Sequence, residues 1–176
     1  HFSATVHERD QFWDIEVAVD QDGCLLGVRG DLIHDQGAYS LVGTSLPYNA
    51  ASNVPGPYRL ENYTLNIQLA LTNKICVSSV RGAGYPQGNF AMERLLDRVA
   101  RELKIGREEI RRRNLISVNE MPYTSRLKSR DGEAITYDSG DFLADLNQAL
   151  EVAKFSEFTK RQNRALSNGR YLGFGL

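Results

Sequence analysis

The period of the apolar residues changes from strand-like to helical near residue 88, and that change limits the fold of this chain more than any other feature of the sequence. From Phe12 to Asp20, and again from Tyr63 to Leu71, apolar residues alternate with polar ones. That is the period of a strand with one buried side. Past residue 88 they recur every three or four positions, through Phe90, Met92, Leu95, Leu96, Val99, Ala100 and Leu103, which is a helical stripe. Strands first and helices after them predict an α+β fold, an antiparallel or mixed sheet with helices packed on one side. The division falls into a sheet-rich part over 1–80 and a helix-rich part over 81–170.

Residues 2–34 read as a three-strand meander. Phe2–Val6 is the first strand, Phe12–Asp20 the second with Trp13, Ile15, Val17 and Val19 on one face, and Cys24–Ile33 the third. Asp22-Gly23 supplies the hairpin turn between the last two. Residues 36–58 carry no charged side chain and hold three glycines and three prolines. They read as a long loop covered by other parts of a larger molecule, since Tyr39, Leu41, Val42, Leu46 and Tyr48 would otherwise lie open to water. Arg107 to Asn114 forms a second helix with Glu108–Arg112 and Glu109–Arg113 pairs four residues apart. Asp131-Gly132 is a turn before a short strand ending near Tyr137. Asp138 to Asp141 caps a third helix whose stripe is Phe142, Leu146, Ala149, Leu150 and Ala153. A polar helix to about Asn168 closes at Gly169, and Tyr171–Leu176 begins an apolar strand. An opening at His1 without methionine and a strand at the other end suit a segment of a longer polypeptide.

Several function classes fall away on composition. The 21 Lys+Arg against 22 Asp+Glu leave a formal net charge of -1, so no chain-wide field draws nucleic acid or anionic lipid. No run approaches the ~18 apolar residues of a membrane helix. Cys24 and Cys76 have no CxxC spacing and read as small buried hydrophobes of a reducing, cytoplasmic compartment. His1, His7 and His34 are too scattered for a protein-ligated metal centre. His34 beside Asp35 reads as a packed, hydrogen-bonded pair. The Arg107–Asn114 run reads as a solvated or inter-domain helix, and Asp138 and Asp141 as caps.

One segment carries chemistry: the glycine-rich turn Val80-Arg81-Gly82-Ala83-Gly84, which leads through Tyr85-Pro86-Gln87-Gly88 into the long helix. Gly82 and Gly84 remove Cβ atoms where a ligand could approach the main chain. The helix start offers unpaired amides and partial positive charge, and Arg81 adds a permanently charged fork. A dinucleotide fingerprint needs its third glycine one residue before Gly88, and no Gly-Lys-Ser/Thr follows to make a phosphate loop. On local physics a ligand cradle and a tight structural turn fit equally.

Taken whole, Arg-Gly-x-Gly-x-Pro-Gln, then Ala91-x-Glu93-Arg94-x-x-Asp97, then Glu-Glu-Ile-Arg-Arg-Arg-Asn-Leu resembles the molybdopterin-binding large subunit of the molybdenum hydroxylases. That family includes xanthine dehydrogenase, aldehyde oxidase and carbon monoxide dehydrogenase. Asp35-x-Gly37-Ala38-Tyr39, Gly56-Pro57-Tyr58, Thr72-Asn73, Tyr137-Asp138-Ser139-Gly140-Asp141 and Gly169-Arg170-Tyr171-Leu172-Gly173 fall in family order. The resemblance implies that Val80, Arg81, Gly82, Ala83 and Gly84 lie against molybdopterin, as its cytosine dinucleotide in a bacterial source. It implies hydroxylation of a small molecule with oxygen from water, and electrons passed to iron-sulfur clusters and FAD on other domains or subunits of a hetero-oligomer. The family's general base and oxo-facing glutamine fall outside these 176 residues, so no catalytic residue is assigned. Gly82 stands where copper-containing members have cysteine. Ala83 stands where purine-oxidising members have an aromatic ring, and Asn49 falls near their substrate-orienting arginine. Tyr85 is either a replacement ring or a helix-entry packing residue. Aldehydes and N-heteroaromatics remain as substrates. The alternatives are a non-catalytic scaffold segment and a small nucleotide-binding module.

Overall fold

The computed structural model describes residues 6–7, 9–40 and 45–176. Strands β1 (Gln11–Val19) and β2 (Leu25–Gly37) form the expected antiparallel hairpin, with Trp13 opposite Leu32 and Val17 opposite Val28. Gly23 turns the chain at φ +83°, a backbone region that costs glycine nothing. The Asp20 carboxylate locks the turn by accepting from the amides of Asp22 and Cys24 at 2.9 and 2.8 Å. The third meander strand runs on to Gly37, four residues beyond its expected end. Of Phe2–Val6, read as the first strand, residues 2–5 lie outside the described residues and Val6 is in no strand.

β3 (Tyr63–Leu71) joins β2 in parallel, giving a mixed sheet of order β1-β2-β3. That geometry corrects the reading of 36–58 as loop. Parallel neighbours need a crossover of a dozen residues or more, most often helical. Here it contains α1 (Ser45–Ser52), which buries Leu46, Pro47, Ala50 and Ala51 within this chain. The lack of charge reflects that burial, although Tyr39 stands 74% exposed. Leu41 and Val42 lie outside the described residues.

The inner sheet face meets α2 (Tyr85–Leu103). Trp13, Ile15, Val17, Val19 and Val28 pack there against Met92, Leu95, Leu96 and Val99. Pro86 opens the helix, where its missing N–H costs nothing. Phe90 belongs to the expected stripe yet is 69% exposed. At ~100° per residue it sits about 200° around the helix from Met92, so both cannot face the sheet.

α3 (Arg107–Asn114) buries Ile110, Arg111 and Asn114, which removes the solvated half of its reading as a solvated or inter-domain helix. Asn114 ties it to the hairpin. Its Oδ1 accepts from Leu25 N at 2.8 Å, and its Nδ2 donates to the carbonyls of Gly23 and Ile110 at 2.9 and 2.8 Å.

A strand absent from the expectations, β4 (Tyr123–Lys128), pairs with β5 (Ala134–Tyr137) around the Asp131-Gly132 turn. Tyr-Thr-Ser-Arg-Leu-Lys alternates only weakly, which hides it. Asp141 caps α4 (Phe142–Val152) by accepting from Ala144 N at 3.0 Å. Within the expected stripe Ala149 is exposed. α5 (Phe158–Ser167) ends at Gly169, φ +70°. Residues 171–176 form no strand. Phe174 instead packs its ring 4.9 and 5.4 Å from Phe155 and Phe158, and Arg107 Nη1 donates to its carbonyl at 2.9 Å.

Candidate functional site

The chain enters the glycine turn through a clasp centred on Asp35, at the end of β2. Its carboxylate accepts from Gly37 N and Thr72 Oγ1, each at 2.7 Å, and meets Lys74 Nζ at 2.9 Å. Main-chain bonds from Ala38 to Lys74 O and from Val77 to Gln36 O close the same junction at 3.0 Å each. Gly37 has φ +70°, and a Cβ there would meet Ile75 O at 2.2 Å. The motif Asp-x-Gly-Ala-Tyr is therefore a joint that fixes where residues 72–80 leave the sheet. His34 Nδ1 lies 3.1 Å from Gln11 Nε2, while Asp35 faces the lysine.

Burial alone would raise the Asp35 carboxyl, but the Lys74, Gly37 and Thr72 hydrogen bonds outweigh it and bring it down to about 2. Because the folded form holds the proton more weakly than the unfolded chain, Asp35 stabilises the fold above the ordinary carboxylate range. That contribution is lost as pH falls from about 4 towards 2. Thermal unfolding of the full-length protein should therefore show a drop in Tm over that window, and Asp35→Asn should flatten that part of the profile. An identical acid profile in the variant would refute the clasp.

Beyond Val80 the backbone passes through three successive left-handed residues, Gly82 at φ +104°, Ala83 at +41° and Gly84 at +102°. Two turn bonds hold them, Ala83 N to Val80 O at 2.8 Å and Tyr85 N to Gly82 O at 2.9 Å. Among the described residues nothing accepts from the amides of Arg81, Gly82 or Gly84, and the exposed Arg81 guanidinium has no partner. Arg9 Nη2 donates to Arg81 O at 3.4 Å, placing a second guanidinium at the turn. The unpaired amides of exposed Arg81 and half-buried Gly82, with cations beside them, offer donors for anionic or carbonyl-rich groups, while Gly84 is buried. Half-buried Gln87 follows at the helix start, with both side-chain amide atoms enclosed and without a hydrogen-bond partner among the described residues.

The two glycines differ in what surrounds them. Among the described residues, a Cβ on Gly82 would meet only the Pro86 ring, at 2.9 Å. One on Gly84 would sit 2.4 Å from Leu46 O and 2.8 Å from Ala50 N, inside the contact with α1. Gly84 thus brings two stretches of this chain's backbone together, which corrects the expectation that its missing side chain makes room for a ligand. Tyr85 is half exposed at the helix entry.

Tyr58, Glu93, Asp97 and Arg111, from three of the motifs or their flanks, gather with Arg107 in a part-buried ion network that no local sequence pattern reveals. Arg111, 3% exposed, donates to Glu93 Oε2 at 2.8 Å and Asp97 Oδ1 at 3.1 Å. Arg107 grips Asp97 with two bonds of 2.9 and 2.7 Å, and Tyr58 Oη donates to Glu93 Oε1 at 2.7 Å. Burial alone would raise the Asp97 carboxyl, but Arg107 and Arg111 outweigh it and hold it below the usual range. These groups neutralise one another and brace α2 against α3. Only half of the expected α3 surface pairing forms as drawn: Glu109 meets Arg113 at 2.9 Å, and Arg112 turns towards Glu109 at 4.0 Å. Cys24 and Cys76 are free thiols, both half-buried rather than in the core.

Residues 1–115 match the family described as molybdopterin cofactor-binding domain. The gamma subunit of the 6-hydroxypseudooxynicotine dehydrogenase complex of Paenarthrobacter nicotinovorans is 34% identical over the whole chain, which covers 22% of that protein. The nicotine 6-hydroxylase large subunit of the same organism is 33% identical over 97% of the chain and 20% of its own length. Among solved structures, quinoline 2-oxidoreductase from Pseudomonas putida 86 superposes with a TM-score of 0.84 at 29% identity, over 96% of this chain and 21% of that one. The chain spans about a fifth of the length of each relative. With the matched region taking in the sheet, the Asp35 clasp, the glycine turn and the ion network, this chain belongs to the molybdopterin cofactor-binding domain family.

Proposed function

We propose that this chain is part of the molybdenum-cofactor-binding subunit of a hydroxylating oxidoreductase, and that Val80, Arg81, Gly82, Ala83 and Gly84 form one wall of its cofactor site. The observation that carries this reading is the donor set of the turn: the amides of Arg81 and Gly82 and a guanidinium, without partners among the described residues. Such donors fit the carbonyl, ring-nitrogen and phosphate acceptors of a pterin. Arg81 would bind and orient the cofactor while the amides of Arg81 and Gly82 hold its polar edge. Gly82, backed only by Pro86, allows close approach along the main chain. When bound, the molybdenum cofactor supplies two-electron oxidation of a carbon with oxygen taken from water. The cytosine dinucleotide form, and iron-sulfur and FAD carriers on other domains or subunits of a hetero-oligomer, complete the proposal.

For substrate the reading favours an N-heteroaromatic ring. Nicotine and quinoline name two of the relatives that align over nearly the whole chain, at 33% and 29% identity. Ala83 offers no ring to stack on a purine. Turnover of pyridine or quinoline rings by the full-length complex supports the assignment, whereas turnover of aldehydes alone overturns it.

Arg81→Ala should lower cofactor affinity about tenfold to a hundredfold, the ~1.5–3 kcal/mol of a hydrogen bond to a charged group, and leave Tm unchanged. Molybdenum per mole of purified full-length complex reads the result. Unchanged molybdenum content in the variant would remove Arg81 from the site, and wild-type protein without molybdenum would end the proposal.

A further inference from the structure

We infer that Asn49, on α1, is a positioning residue for the cofactor turn: it acts through the Ala83 carbonyl and keeps Ala83 in the left-handed conformation. This rests on the cofactor reading of residues 80–84. Asn49 Nδ2 donates to Ala83 O at 3.0 Å, across 34 residues of sequence. Ala83 sits at φ +41°, flanked by glycines at +104° and +102°. Left-handed backbone is free for the two glycines but costs an alanine about 1–2 kcal/mol, so something must oppose its relaxation. The carbonyl bond from Asn49 is the side-chain contact in place to do so.

Asn49 is itself fixed. Its carbonyl accepts from Asn53 Nδ2 at 2.8 Å and from Ser52 Oγ at 3.2 Å, so the last turn of α1 is tied down around it. The backbone of α1 presses on the turn from the same side, through Leu46 O and Ala50 N at Gly84 and through Ala50 O at Gly88. α1 thus serves as a back plate. It draws the Ala83 carbonyl to itself, and the amides of Arg81, Gly82 and Gly84 are left with no acceptor within the described residues. If Ala83 relaxed to negative φ, the Val80–Ala83 and Gly82–Tyr85 bonds that hold the turn would break.

The test is made in the full-length complex, with molybdenum content and Tm as paired readouts. Asn49→Ala should reduce molybdenum per mole at least threefold while Tm stays within about 2 °C, because one half-buried neutral hydrogen bond contributes only ~1 kcal/mol. The double variant Asn49→Ala with Ala83→Gly should regain most of the lost molybdenum, since glycine adopts φ +41° without the steric cost that alanine carries. Wild-type molybdenum content in Asn49→Ala overturns the inference. So does a loss that Ala83→Gly fails to reverse, which would mean Asn49 acts other than through the turn's conformation. Absence of molybdenum from the wild-type complex would instead defeat the cofactor reading on which the inference stands.

Discussion

Arg111→Ala should destabilise the fold by about 3–5 kcal/mol, because it leaves two carboxylates without their buried counter-ion. Glu93 and Asp97 lie on one side of α2, one turn apart, and Arg111 reaches both from α3. Asp97 would keep Arg107, but among the described residues the Glu93 carboxylate, 31% exposed, would keep only the Tyr58 hydroxyl. Thermal unfolding and soluble yield of the full-length protein check this, with Arg29→Ala as the comparison. Arg29 meets Glu16 at 2.7 Å, yet both side chains are more than 65% exposed. Such a pair contributes about 0–1 kcal/mol. Equal Tm losses in the two variants would show that the Arg111 network does not brace the helices. Replacing Arg111 by Met together with Glu93 by Gln should do less harm than Arg111→Ala alone, since no unpaired glutamate then remains.

Gly84→Ala should cost about 2–5 kcal/mol and should also strip the cofactor. The left-handed backbone accounts for ~1–2 kcal/mol and the overpacked contact with α1 for ~1–3. The second part is unavoidable, because the obstacles at 2.4 and 2.8 Å are backbone atoms of Leu46 and Ala50. Gly132→Ala separates the two contributions. Gly132 turns the β4–β5 hairpin at φ +86°, and a Cβ there would meet nothing within 4 Å among the described residues, so only the conformational cost applies. Differential scanning calorimetry and molybdenum analysis of both variants give the comparison. A Gly84→Ala protein as stable as Gly132→Ala, with full molybdenum, would mean that the α1 contact tolerates a methyl group.

The β1–β2 hairpin, β3, α2 and α3 are legible in the sequence, because each carries a strong local pattern. Phe12 to Asp20 alternates around an Asp-Gly turn, and Met92 to Leu103 repeats at helical spacing. The glycine turn also stands out, since Gly82, Gly84 and Gly88 surround a proline-opened helix start. Where local pattern is weak, expectation and structure part. α1 has little amphipathic signal, being buried at Leu46, Pro47, Ala50 and Ala51, so it passes for loop. β4 is mostly polar, and apolar Tyr171–Leu176 passes for a strand although it packs through the Phe174 ring.

Periods, turn residues and family motifs are enough to say that the chain builds an α+β layer around a glycine-rich bend, since those are properties of neighbours along the chain. They cannot say that Gly84 is spent on α1, that Asn49 holds Ala83, or that Glu93, Asp97 and Arg111 answer one another. Each of those contacts joins residues 14 to 38 positions apart, and the partner is chosen by how α1, α2 and α3 come together in space. Charge and hydrogen-bonding capacity belong to each residue alone, whereas whether that capacity is left free for a ligand or used up internally depends on folding.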